Sequence, residues 1–122
     1  MLRCLIVDDS PSFLDAATNL LEREGIEVVG TASSVAAGLE EAKKLEPDVV
    51  LVDVMLGPES GFDLARSLHE QNGHDATVIL ISTHAEADLS DLIEATPAAG
   101  FVPKSRLSAA AVQKLVSESR GR

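Results

Sequence analysis

A chain of 122 residues, 45% apolar and 25% charged, has a globular composition and can bury roughly two-thirds of its unfolded surface in one core, which argues against a disordered chain. Twenty acidic against ten basic side chains give a net charge of -10, which a duplex phosphate backbone repels, so direct nucleic-acid binding is not expected. No apolar run can span a bilayer, and the N-terminal one is broken by Arg3 and closed at Asp8, too short for a signal peptide; a single soluble cytoplasmic domain over 1–122 is expected, with no membrane partner.

The first run, LRCLIV at 2–7, has strand length and ends at two carboxylates, Asp8 and Asp9. Cys4 within it is the one cysteine, so it reads as a small core residue in a reducing compartment. Ser10 and Pro11 then supply a capping hydroxyl and a first-turn proline for a helix that stops at Gly25, with Phe13, Leu14, Ala17, Leu20 and Leu21 inward. IEVVGTA at 26–32 predicts a second strand. A second helix runs from cap Ser34 to Glu46, halted by Pro47, with Leu39, Ala42 and Leu45 inward.

DVVLV at 48–52 is a third strand, closed by Asp53, and a helix over about 61–72 follows it. TVILIS at 77–82 ends on Ser82, and a fourth helix over about 86–95 is stopped by Pro97. GFVP at 100–103 leads into Lys104, and the fifth helix begins at Ser108, where Leu107 can pack on Val112 as a hydrophobic staple. Strand and helix alternate throughout, and apolar runs such as VVLV imply strands covered on both faces. The fold class is therefore α/β, a doubly wound parallel sheet. In such sheets the reactive crevice lies beyond the carboxyl ends of the strands, where Asp8, Asp9, Asp53, Ser82 and Lys104 all fall.

Each of these residues alone has a plain structural role, as helix cap, turn former, strand-end hydroxyl or solvated cation. Together they pose an electrostatic problem: if the first and third strands are neighbours, three carboxylates converge, and something must neutralise them. Magnesium suits such a site, because it takes hard oxygen ligands and keeps room for water or a phosphoryl oxygen. A carboxylate can itself act as a nucleophile toward phosphorus. Asp53 is then the candidate acceptor, with Lys104 and Ser82 compensating charge on the phosphoryl oxygens.

With these residues in place, the sequence resembles the receiver domain of bacterial two-component response regulators over essentially its whole length. The resemblance implies a five-stranded flavodoxin-like sheet of order 2-1-3-4-5 with five helices. It puts Asp8 and Asp9 at the metal-binding acidic pair, Asp53 at the phosphoacceptor, Ser82 at the switch hydroxyl, Phe101 at the switch aromatic and Lys104 at the lysine of the pattern. It also implies that the backbone carbonyl of Met55 completes the Mg2+ ligands, its side chain turned to the site entrance, and that Met55 and His84 tune the lifetime of the phosphoryl group. Thr83 next to Ser82 leaves a choice of register, and Ser82 is preferred because it lies at the family's usual distance from Lys104.

Three departures stand out. Gly57 occupies the place where the family commonly has proline, so the loop GPESG is expected to take a different path before Gly61. Pro103-Lys104-Ser105 replaces the family's Lys-Pro, which puts in doubt the cis peptide that normally follows the lysine, and Phe101 lacks a tyrosine hydroxyl. The resemblance further implies a phosphoryl group received from a sensor histidine kinase, a phosphotransfer protein or a small phosphodonor. The receiver would catalyse its own phosphotransfer and slow autodephosphorylation rather than act as an ordinary enzyme.

Only SESRGR follows the fifth helix, so no output domain is expected, and the chain reads as a natural single-domain regulator or a piece of a longer one. Output would pass to a downstream protein through the fourth helix, fifth strand and fifth helix, or through a phosphorylation-dependent homodimer. Glu86, Asp88, Asp91 and Glu94 make the fourth helix either a solvated face or one fitted to a basic partner. Two rivals remain: a degenerate receiver that signals by binding alone, and an aspartate-nucleophile phosphatase. The phosphatase needs a second acid two residues past the nucleophile, where this chain has Met55 after Asp53 and Ser10 after Asp8.

Overall fold

The five apolar runs become five parallel strands of one sheet in the computed structural model, which describes residues 2–71, 76–84 and 86–120. They are β1 (Arg3–Val7), β2 (Glu27–Ala32), β3 (Val49–Asp53), β6 (Thr77–Ser82) and β7 (Gly100–Pro103), ordered β2-β1-β3-β6-β7, with β4 (Met55–Leu56) and β5 (Glu59–Ser60) forming a separate hairpin. Counted within this sheet the order is 2-1-3-4-5, as the resemblance implied. Both central strands β3 and β6 are buried along their whole length. That burial is why their sequences are unbroken apolar runs rather than alternating ones.

Successive strand side chains point to opposite faces, so the sheet carries two cores. Cys4, Ile6, Leu51 and Ile79 pack against Ala17 and Leu21 of α1 (Pro11–Arg23) and Val112 and Val116 of α5 (Ala109–Arg120). Leu5, Val52 and Leu80 pack on the other face against Ala42 of α2 (Val35–Leu45) and Leu64 and Ala65 of α3 (Gly61–Glu70). Each fully buried leucine or isoleucine contributes roughly 1.5–3 kcal/mol relative to exposure. The helix starts follow the predicted caps: Phe13 N–H donates to Ser10 Oγ at 3.4 Å, Ala37 N–H to Ser34 Oγ at 3.1 Å and Ala111 N–H to Ser108 Oγ at 3.0 Å. Leu107 and Val112 share one buried cluster, in keeping with the expected staple.

The fourth helical segment differs from its prediction. A 3-10 turn, Glu86–Leu89, precedes a five-residue α4 (Ser90–Glu94) that has no side-chain cap and buries none of its residues. Leu92 is exposed, and among the described side chains of the segment only Leu89 and Ile93 lean on the core, a narrow apolar stripe for a longer helix. The third helix ends at Glu70, and residues 72–75 lie outside the described residues.

A second difference is the hairpin between β3 and α3. β4 (Met55–Leu56) and β5 (Glu59–Ser60) run antiparallel around Gly57 and Pro58, and Gly57 has the left-handed φ of 61°. Positive φ at the first central residue of a two-residue hairpin turn favours glycine, so the Gly-Pro order that departs from the family pattern produces this path. All described peptide bonds are trans, including those around Lys104.

Cys4 is fully buried, and burial pushes its thiol up to about 12. A disulfide-exchange reagent at pH 8 is expected to leave the native protein unlabelled and to titrate one thiol per chain after guanidinium unfolding. Rapid labelling of the native protein would contradict this packing.

Candidate functional site

β1 and β3 are adjacent and parallel, with Val7 level with Val52, while β2 and β6 lie on their outer sides. Strand order reverses at this pair, which opens the crevice of a doubly wound sheet beyond its carboxyl ends. Asp8 follows β1 and Asp53 ends β3, so chain direction alone delivers both to the same rim.

Asp8 is fully buried; its Oδ1 accepts the Ser10 N–H at 2.8 Å and its Oδ2 lies 2.6 Å from Lys104 Nζ. Asp53 is 6% exposed, with Oδ1 accepting the Met55 N–H at 3.0 Å and Oδ2 lying 2.9 Å from the same Nζ. Asp9 is exposed on the solvent side, and one carboxylate oxygen from each of Asp8, Asp9 and Asp53 lies within 4.8 Å of the others. Lys104, from the 3-10 turn that follows β7, therefore bridges two of the three acids.

The Lys104 ammonium also sits 4.3 Å from the centroid of the Phe13 ring. A cation over a ring face is attracted to it, by about 0.5–2 kcal/mol according to exposure. Phe13 thus has two roles, and only the inward stripe of α1 was legible in the sequence.

Two groups of this cluster titrate away from their ordinary values. Burial raises Asp53, and Asp8's negative charge adds to the rise, outweighing the Met55 amide and the Lys104 ammonium that pull it down. For Lys104 burial works downward, but hydrogen bonds and charges from Asp8 and Asp53 win and hold the ammonium above the ordinary lysine value. The folded state therefore binds Asp53's proton more tightly than the unfolded state. Its contribution to stability is greatest below the unfolded value near 3.8 and declines as pH rises through the folded one. Lys104's contribution is present below 10.5 and lost as pH rises through its higher folded value.

In divalent-free buffer at neutral pH, Asp53→Asn is accordingly expected to resist urea better than the parent chain, with the gap closing as pH falls toward 3.8. Urea midpoints across that range check this. An Asn variant less stable than the parent at neutral pH would reverse the sign.

The donor set suits a small hard cation. Asp8 Oδ2 is shut off from water and, among the described residues, meets no donor in hydrogen-bond geometry apart from its ion pair with Lys104, so it has a coordination position to offer. Buried carboxylates at Asp8 and Asp53 with an exposed one at Asp9 make an oxygen-lined site open on one side, the arrangement Mg2+ favours.

The other predicted residues have surroundings of their own. Ser82 is buried at the end of β6, and its Oγ accepts the His84 N–H at 3.0 Å and lies 3.3 Å from His84 Nδ1, so the hydroxyl is turned into its own strand-end turn. Thr83 beside it is exposed. Phe101 is half-buried on β7, level with Leu80 and packed on the second core. Met55 shows 55% of its surface, its backbone beside Asp53.

Gly61 stands in the sequence between the GPES loop and the third helix, and a Cβ there would overlap the Asp53 carbonyl oxygen and stand 2.7 Å from the carbonyl carbon. The glycine after GPES was the one available signal.

Fold and site together define a doubly wound α/β protein with an acidic, lysine-bridged crevice at its switch point. The chain belongs to the response regulator receiver domain family, whose model matches residues 4–116, and so is a receiver domain of two-component signalling. It is 32% identical over 116 residues to response regulator GacA of Pseudomonas viridiflava, covering 94% of this chain and 54% of that protein. To the heme response regulator HssR of Staphylococcus saprophyticus it is 38% identical over 91 residues, 75% of this chain and 38% of that one. A two-component response regulator of the LuxR family from Aurantimonas superposes with a TM-score of 0.85 at 26% identity, over 100% of this chain and 87% of that one. The chain spans from 27% to 54% of the length of the curated relatives it matches. Among the described residues no helix is long and apolar enough to cross a membrane.

Proposed function

We propose that Asp53 accepts a phosphoryl group from a phosphohistidine of a sensor kinase or phosphotransfer protein, or from a small phosphodonor, in a Mg2+-dependent reaction. What carries this reading is the convergence of Asp8, Asp9 and Asp53 within 4.8 Å, with one ammonium bridging two of them. An Asp53 carboxylate oxygen attacks phosphorus; as the new acyl phosphate forms, the bond from phosphorus to the histidine nitrogen breaks and releases the imidazole, or, with acetyl phosphate, the bond to the acyl oxygen breaks and releases acetate. A bound Mg2+ would be held by Asp8, Asp9, Asp53 and the Met55 backbone carbonyl and would offset charge on the phosphoryl oxygens. Lys104, already against Asp53 Oδ2, follows the transferred group and neutralises another oxygen.

Ser82 supplies the switch. To donate to a phosphoryl oxygen its hydroxyl leaves His84, and Phe101 turns into the space vacated, on packing alone. His84 and Met55, flanking the crevice, tune how long the acyl phosphate lasts. The altered surface is that of α4, β7 and α5, which hands the signal to a protein partner or to a second copy. Asp88, Asp91 and Glu94 are exposed there, while the side chain of Glu86 lies outside the described residues.

Incubation with Mg2+ and acetyl phosphate, followed by intact-mass measurement, tests the reading. One phosphoryl group per chain that is absent from Asp53→Ala is expected. Free phosphate released at high turnover would favour a phosphatase, and no adduct at all a receiver that works by binding alone.

A further inference from the structure

The hairpin of β4 and β5 is fastened at both ends. Leu56 is 1% exposed in the second core, and the Gly61 N–H donates to the Val54 carbonyl at 2.9 Å. On the outer side Glu59 reaches across to α2, where its Oε1 accepts the N–H of Val35, the first residue of that helix, at 3.1 Å. That amide is one of the donors a helix leaves without an internal partner, and it lies at the positive end of the helix. Ser34 serves a different amide of the same turn, that of Ala37, so α2 is capped twice from separate parts of the chain.

The opposite side of the hairpin touches the acidic cluster. Met55 donates its N–H to Asp53 Oδ1 at 3.0 Å, and a Cβ on Gly57 would lie 3.7 Å from Asp9 Oδ2. The hairpin is therefore a brace between the start of α2 and two of the three acids, and Glu59 is its attachment at the α2 end.

We propose that Glu59 is a positioning residue for the acidic site: by pinning the hairpin to α2 it fixes the Met55 backbone beside Asp53 and Gly57 beside Asp9, and so sets the affinity for a divalent cation. The inference rests on the reading of that cluster as a Mg2+ site. Glu59 itself touches neither the cation nor the reacting atoms. If it served only to cap α2, removing any other cap of that helix would have the same effect.

Titration calorimetry with Mg2+ alone separates these roles, on the parent chain, Glu59→Ala, Glu59→Gln and Ser34→Ala. Glu59→Ala is expected to bind Mg2+ about tenfold more weakly, the low end of what outer supporting partners cost. Glu59→Gln, whose amide oxygen still accepts, should lose less, and it carries the test if the alanine variant does not fold. Ser34→Ala should melt earlier yet bind Mg2+ as the parent does. Labelling by acetyl phosphate in the Glu59 variants should recover at saturating Mg2+. Parent-like affinity in Glu59→Ala, or an equal loss in Ser34→Ala, would overturn the inference while leaving the Mg2+ reading intact. A parent chain that binds no Mg2+ would sink the reading beneath it.

Discussion

Lys104→Ala is expected to destabilise the protein by about 3–5 kcal/mol in divalent-free buffer, the usual consequence of deleting one partner from a buried charge cluster. Asp8 is fully buried and Asp53 nearly so, and both place an oxygen within 3 Å of the Lys104 ammonium, at 2.6 and 2.9 Å. With the ammonium gone, two carboxylates face each other with no cation between them. The deficit should shrink as pH falls, because burial already raises Asp53 above its ordinary value and loss of the ammonium removes one of the influences that pull it down. Added Mg2+ should recover part of it, since a ligand bound only by the folded state stabilises that state.

Phosphorylation by acetyl phosphate at saturating Mg2+ should nevertheless slow by about a hundredfold, the loss typical of removing one preorganised charge from a transition state. Lys104→Arg should rescue stability better than rate, because a planar fork cannot replace a point charge wedged between two acids under the Phe13 ring. Urea curves with and without Mg2+, together with labelling time courses, provide both readouts. Stability unchanged in Lys104→Ala would contradict the bridging geometry.

Among the described glycines, Gly61 is where an added methyl should do the most damage. The new carbon would collide with the Asp53 carbonyl oxygen, and it would stand 2.7 Å from the Asp53 carbonyl carbon and 2.8 Å from Val54 Cα, all backbone atoms that no rotamer change can move. Either the end of β3 or the start of α3 must shift. Overpacking typically costs about 1–3 kcal/mol, and a backbone collision belongs at or beyond the top of that range. Since the displaced strand end carries Asp53, labelling should fall by more than the loss of folded protein accounts for. Circular dichroism and intact mass on the same sample separate the two effects. Full labelling in a natively folded Gly61→Ala would show that Asp53 tolerates the shift.

The sheet was legible because β3 and β6 are buried on both faces, and such strands leave unbroken apolar runs that need no partner to be recognised. Asp8, Asp53 and Lys104 were legible for the same reason: each stands where an apolar run stops, and parallel strands bring their stops to one rim. The hairpin escaped because two-residue strands carry no periodicity, and Gly57-Pro58 signalled a turn without saying what it joined. Phe13 fits the inward stripe of α1 whether or not a lysine from the far end of the chain lies over it. Glu59 gives no signal in the sequence, because its partner is a backbone amide on another helix. The fourth helical segment lies over 86–94, close to where Pro97 marks its end, but nothing in the sequence disclosed that its first turn is 3-10 or that α4 buries none of its residues.

Where phosphorus attaches decides the role of Asp53. Borohydride reduction after acetyl phosphate and Mg2+ treatment converts an aspartyl phosphate into homoserine, which peptide mass mapping locates. Homoserine at position 53, dependent on Mg2+ and strongly reduced in Lys104→Ala, is the predicted result. Homoserine at another carboxylate, or none in a fully folded sample, would contradict it.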